Sequence, residues 1–315
     1  MRWVTVATSQ GERTGVLRED EVYLAPAGTT LLGLLQDAAA GLEAAGQEAL
    51  RRADTVRLDA VRLAAPLPVP PSVRDYLAFE EHLKNARISA GGRIDPVWYE
   101  QPVFYFSNPA AVRGPRDDIE IAPGSQRFDY ELEVAAVIGA AGENLQPDEA
   151  EGHIAGYAVL CDFSARDLQA REMRIGLGPV KGKDTATSLG PCLVTPDELA
   201  DRRSGKAFTL AMRAEVNGTE YSAGDLGSIA WSFAEMVAYA SRGTRLVPGD
   251  VIGSGTVGRG CILELSQLHG GEKYPWLKPG DRVVLEVERL GRLEHTIREP
   301  RADGWTPVPL KARQS

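Results

Sequence analysis

The sequence predicts an α+β, β-rich protein in which a small N-terminal α/β cap precedes a larger, strand-dominated domain. Three observations carry this reading. The run Pro66-Leu67-Pro68-Val69-Pro70-Pro71 cannot continue a helix or a central strand, so it separates a small domain, 1–65, from a large one, 72–315. Beyond it, short β-prone runs outnumber helical ones. Turn chemistry agrees: Asn217-Gly218 follows an alternating run and marks a hairpin, while Pro248-Gly249-Asp250 and Pro279-Gly280-Asp281 each launch an apolar strand.

In chain order, Gly15-Val16-Leu17 and Val22-Tyr23-Leu24 read as strands, and 30–52 as a helical stretch. After the prolines a helix is expected over 75–87. Strands are expected at 103–106, 131–138, 157–161, 208–216, 251–252 and 283–287. Helices are expected at 164–172 and 228–242, and 259–265 reads as β-prone.

The composition bounds the function. With 315 residues, 43% hydrophobic and 25% charged, the chain has ample length for a large core. A net charge of −9 supplies no basic face for nucleic acid or an anionic membrane. Met1-Arg2-Trp3-Val4-Thr5-Val6 lacks a signal-peptide pattern, and no apolar run approaches the roughly 20 residues that span a bilayer, so a cytoplasmic location is expected. Cys161, Cys192 and Cys261 are too few and too scattered for a disulfide framework or a thiolate zinc site, and are expected reduced and buried.

Two carboxylates interrupt the apolar run 131–138. Residues two apart on a strand share a face and lie roughly 6.6 Å apart along it, so Glu131 and Glu133 can reach one cation. Uncompensated in an apolar interior they would cost several kcal/mol. The competing reading is a strand with one wet face, on which Asp129, Glu131 and Glu133 are solvated. The apolar run Tyr157-Ala158-Val159-Leu160-Cys161 ends at Asp162 and Ser164. Ser164 suits the N-cap of the following helix, which leaves Asp162 spare. Arg166 and Gln169 project one turn apart with Met173 on the same face, either toward a ligand or into solvent. The loop 176–184 carries Lys181 and Lys183 among glycines, but its spacing is wrong for a phosphate loop. Gly253-Ser254-Gly255-Thr256-Val257-Gly258 matches the dinucleotide fingerprint in letters, but that fingerprint needs a helix to follow. Of the four histidines, His153 reads as structural, His269 and His295 lie in loop-like or late edge contexts, and His82 lies on the expected helix, where a lone histidine is more often structural than catalytic.

Together these residues resemble the fumarylacetoacetate hydrolase family over roughly residues 65 to 290. The resemblance rests on Glu131 and Glu133, on Asp162-Phe163-Ser164-Ala165-Arg166-Asp167-Leu168-Gln169, on Gly182-Lys183, and on Ser254-Gly255-Thr256 leading to Leu263-Glu264. It implies a mixed β-roll, a homodimer, and a divalent cation on Glu131, Glu133 and Asp162. Three hard oxygen donors suit Mg²⁺, with Mn²⁺ or Ca²⁺ as substitutes. It further implies His82 as the base oriented by Glu264, Lys183 as the oxyanion donor, and Arg166, Gln169, Thr256 and Met173 around the substrate. Three departures are expected. A further aspartate ligand would fall at Ala78, and the catalytic histidine at Asn85, where His82 shares the helix face. Glu80 and Met173 replace substrate-facing tyrosines, which disfavours fumarylacetoacetate. The activity implied is metal-dependent hydrolysis of a C–C bond in a 1,3-diketo or acylpyruvate-type oxo acid. The alternatives are a 2-oxo acid decarboxylase, tautomerase or hydratase on the same site, or a non-catalytic oxo-acid or metal-binding protein.

Overall fold

The computed structural model describes residues 1–9, 11–37, 41–88, 91 and 93–301. Its spine is a long mixed sheet in the order Thr55–Arg57, Glu21–Leu24, Gly11–Arg18, Arg2–Thr8, Thr187–Val194, Ile154–Asp162, Leu132–Ile138, Val251–Gly253, Val73–Tyr76 and Phe104–Ser107. A second sheet runs Thr219–Asp225, Ala211–Val216, Arg282–Val287, Gly291–Arg298 and Ile119–Glu120. The fold is thus sheet-rich α+β, as the strand signals imply.

The strand Leu132–Ile138 is buried on both faces, which explains its near-continuous apolar sequence. On one face Leu132, Val134, Ala136 and Ile138 join Met212, Ala214, Leu285 and Leu293 of the second sheet in one core. On the other, Ala135 and Val137 join Ala158, Leu160 and Leu189 with Trp3, Leu31 and Leu35 from the N-terminal part. Burying an apolar side chain as large as Trp3 is worth about 2–3 kcal/mol. The first 65 residues extend the main sheet, because Arg2 and Trp3 pair with Val194 and Leu193. The prolines lie where the chain leaves the strand Arg62–Ala64 and crosses to Val73–Tyr76.

Several local expectations change. The stretch 30–52 is two helices, Leu31–Gln36 and Leu42–Arg52, because Asp37 is extended and Gly41 has a positive φ. Asp75 opens no helix; it lies in the strand Val73–Tyr76, held between Val251–Gly253 and Phe104–Ser107, and the helix is Glu80–Ala86. Sheet pairing overrides the local pattern there. Ser164 pairs with Asp129 across a short ladder, so the helix is Arg166–Glu172, with Ala165 at its N-cap. The helix expected over 228–242 is Phe233–Ala240, started by a Ser232/Glu235 capping box. The segment expected to be β-prone forms the helix Ile262–His269. The Asn217-Gly218 hairpin is present, with positive φ at both residues, between Ala211–Val216 and Thr219–Asp225.

Candidate active site

Three strands deliver four carboxylates to one end of a single sheet face. Alternation along Leu132–Ile138 carries the Val137 and Ala135 side back to Glu133 and Glu131. Along the next strand, Ala158 and Leu160 lead to Asp162, and on a third Val73 leads to Asp75. The apolar face becomes acidic at one level of the sheet because the strands are in register, with Glu133 opposite Leu160 and Gly253 flanked by Ala135 and Asp75. Gly253 makes room for this: a Cβ there would lie 2.4 Å from Asp75 Oδ1. Asp75, Glu131, Glu133 and Asp162 are all at most 4% exposed, so the wet-face reading of Glu131 and Glu133 is rejected.

The cluster contains opposed charges. Lys183 Nζ donates to Asp162 Oδ2 at 2.8 Å and to Glu131 Oε2. Arg166 donates to Glu131 Oε1 at 2.7 Å, to Asp129 Oδ2 at 2.8 Å and to Gln169 Oε1 at 3.2 Å. Burial penalises the Glu131 carboxylate, but Arg166 and Lys183 outweigh it and hold the group below the usual carboxylate range. Glu133 lacks such a partner. Burial, then Asp75 and Glu131, push it well above its ordinary value, and burial with Asp162 pushes Asp75 up to about 7.

Asp75, Glu131 and Glu133 each offer an oxygen within 4.8 Å of the others. Glu133 Oε2 and Asp162 Oδ1 are buried without a hydrogen-bond partner. Unpaired buried oxygens are costly, and a hard cation is the ligand that all-oxygen donor sets of this kind satisfy. The residues present therefore fit a divalent cation.

Beside the cluster, His82 Nδ1 meets Glu264 Oε2 at 2.8 Å, and both residues are buried. Glu264 also accepts from Asn85 Nδ2 at 3.1 Å, from the amides of Arg259 and Gly260 at 2.8 and 3.1 Å, and from Cys261 Sγ at 3.4 Å. The imidazole is thus pinned through a fully hydrogen-bonded carboxylate, with its Nε2 outside that contact.

The structure assembles Glu131, Glu133, Asp162, Lys183, Arg166, Gln169 and Thr256 into one network, Thr256 Oγ1 lying 3.3 Å from Glu133 Oε1. Met173 stays about half exposed on the turn after the helix, outside this network. The structure changes the reading of positions 78 and 85. Ala78 is fully buried, with its amide bonded to Ser254 O and its carbonyl to Ala230 N, and the fourth carboxylate comes from Asp75, three residues earlier. Asn85 is a second donor to Glu264, and the histidine of the pair is His82 itself. Arg166 has its guanidinium committed to Asp129, Glu131 and Gln169, so it fixes carboxylates. A helix does follow the glycine-rich segment 253–258, contrary to expectation. Its first amides, on Ile262 and Leu263, are already taken by Asp129 at 2.7 and 3.0 Å, where a phosphate would sit.

Sequence reasoning missed Asp75 and the clamping role of Asp129. Asp75 had a signal in Val73-Arg74-Asp75-Tyr76, a β-type run directly after the prolines. Cys161, Cys192 and Cys261 are buried free thiols. Among the described residues no helix is long and apolar enough to cross a membrane.

Buried charge at this density serves chemistry and not folding, and the class it defines is enzymatic. Residues 72–298 match the family model described as fumarylacetoacetate (FAA) hydrolase C-terminal, and the chain belongs to that family. It is 35% identical over 196 residues to the human mitochondrial oxaloacetate tautomerase FAHD2A, covering 61% of this chain and 57% of that relative, less than two thirds of its length. It is 28% identical over 244 residues to oxaloacetate tautomerase YisK of Bacillus subtilis, covering 76% of this chain and 74% of that one. Among solved structures, a fumarylacetoacetate hydrolase from Exiguobacterium antarcticum superposes with a TM-score of 0.73 at 27% identity, covering 95% of this chain and 99% of the other. A probable 2-hydroxyhepta-2,4-diene-1,7-dioate isomerase from Mycobacterium abscessus gives 0.70 at 26% identity, covering 96% and 100%.

Proposed function

We propose that this chain is a divalent-cation-dependent keto–enol tautomerase of a small 2-oxo dicarboxylic acid of the oxaloacetate class. The observation that carries the reading is a histidine pinned by a saturated glutamate beside an unsaturated carboxylate cluster. Tautomerisation needs one group that takes a proton from carbon and returns it to oxygen, and a charge that stabilises the enolate between the two steps. The names of the two tautomerase relatives support the same choice.

Glu131, Glu133, Asp162 and Asp75 would hold the cation, Mg²⁺ by donor type. When bound, it supplies Lewis acidity that makes the carbon beside the keto group more acidic. His82 Nε2 removes the C3 proton, and Glu264 stabilises the imidazolium at Nδ1. Returning that proton to the enolate oxygen completes the isomerisation with no bond to carbon broken other than C–H. Lys183, buried and held above its ordinary pKa by Asp162 and Glu131 despite the opposing effect of burial, stays an ammonium and places positive charge beside the developing oxyanion. Gln169 and Thr256 supply orienting polar groups.

A second reading, C–C hydrolysis of an acylpyruvate, uses the same pair to activate water, and likeness to the Exiguobacterium hydrolase favours it. Purified protein with Mg²⁺ separates the two. The tautomerase reading expects rapid loss of the enol absorbance of oxaloacetate, with acylpyruvates left uncleaved. Cleavage of acylpyruvates without acceleration of the oxaloacetate equilibrium would replace it with the hydrolase.

A further inference from the structure

Lys183 sits in a short 3-10 turn, Lys181–Lys183, and the glycine-rich loop before it resembles a phosphate loop without its spacing. Three successive amides there converge on one acceptor. Glu172 Oε2 accepts from Val180 N at 2.9 Å and Gly182 N at 3.0 Å, and Glu172 Oε1 accepts from Lys181 N at 2.8 Å. Glu172 is the last residue of the helix Arg166–Glu172, the end at which the helix dipole disfavours a carboxylate. Its placement is explained by the other end of the contact, where it caps the turn from outside.

The intervening segment offers no substitute anchor, since Ile175 and Leu177 are more than 80% exposed. The turn is held close to the helix that bears Arg166 and Gln169: a Cβ at Gly182 would lie 2.6 Å from Gln169 N. Val180 O accepts from Lys183 N at 3.2 Å, so fixing the amides of 180–182 fixes the backbone from which Lys183 reaches Glu131 and Asp162. On the other side Asn108 Nδ2 holds Asp184 Oδ1 at 2.9 Å.

We propose that Glu172 is a positioning residue, occupying with its own carboxylate an anion nest of three backbone amides and thereby registering Lys183 over the carboxylate cluster. Its effect on turnover rests on the tautomerase reading; its effect on Lys183 does not.

The test pairs Glu172→Ala with Glu172→Gln in the full chain and adds acetate as the probe for the vacated nest. Labelling of Lys183 by an amine-reactive anhydride is read by mass spectrometry, alongside oxaloacetate tautomerisation with Mg²⁺. Wild-type Lys183 is expected to resist labelling. In Glu172→Ala it should label readily, kcat should fall about 100-fold with KM little changed, as for a misplaced reacting group, and acetate should restore both protection and rate in part. Glu172→Gln, which keeps one acceptor oxygen, should fall between. Lys183 remaining as protected in Glu172→Ala as in wild type, or labelling that acetate leaves unchanged, would overturn the proposal. A wild type inactive on oxaloacetate would remove the functional reading and leave the labelling to decide the clamp.

Discussion

Glu133 and Glu264 are both glutamates with no solvent exposure in the same site, yet their surroundings are opposite. Glu264 has donors on both oxygens, from His82, Asn85, Cys261 and two backbone amides. Glu133 has a long contact from Thr256, Asp75 beside it, and, among the described residues, no hydrogen-bond partner for Oε2. A saturated carboxylate is a fixed part of the scaffold that orients the base. An unsaturated one is free to act as a ligand. The cost of burying charge is met by protein donors in the first case and, on the proposed reading, would be met by the cation in the second.

Replacing Glu133 by glutamine should give the largest effect on turnover, a loss of roughly 10³-fold or more, because a ligand of the Lewis acid is removed. The cation-free protein should nevertheless stay within about 1 kcal/mol of wild type, since burial and the neighbouring carboxylates already favour the uncharged form of Glu133 and a neutral amide takes its place. Urea unfolding after chelation checks this, and a clear loss of stability would erase the contrast. His82→Gln should lower kcat about 100-fold, within the range for a general base. It should leave Mn²⁺ affinity nearly unchanged by titration calorimetry.

Glu264→Gln sharpens the comparison from the other side. An amide nitrogen would face donors that need an acceptor, so stability should fall by about 1–3 kcal/mol, unlike the Glu133 result. The smallest effect is in pH. Asp75 is raised from 3.8 to about 7 by burial and by Asp162, so the folded chain keeps a proton that the unfolded chain releases. Stability of the cation-free protein should therefore decline as pH rises from about 4 through 7. Adding Mg²⁺ should flatten that decline, and cation affinity should weaken as pH falls below 7. Thermal midpoints measured across this range with and without Mg²⁺ follow both trends.

Much of the scaffold was legible because alternation and turn chemistry are local. The strand Leu132–Ile138, its two leading glutamates and the hairpin at Asn217-Gly218 needed no tertiary information. Asp162 was visible as the acid that ends an apolar run. Asp75 was not, because its strand is only four residues long and exists through pairing with Val251–Gly253, 178 positions away, and with Phe104–Ser107, which a local pattern does not show. Positions 78 and 85 came from the resemblance and not from a local pattern, and the base named from the sequence, His82, is the residue paired with Glu264. Arg166 was legible as a cation near the site, while its commitment to Asp129 and Glu131 depended on folding. The helix Ile262–His269 was hidden because Asp129, distant in sequence, supplies its cap.

On the proposed reading, the buried carboxylates hold the cation on which catalysis depends. The most direct measurement is the rate of oxaloacetate enol-to-keto conversion by chelator-stripped protein as Mg²⁺ is titrated back. The rate should lie near background without cation and rise to saturation at one Mg²⁺ per chain. An equal rate in the stripped protein, unchanged by added Mg²⁺, would contradict that reading.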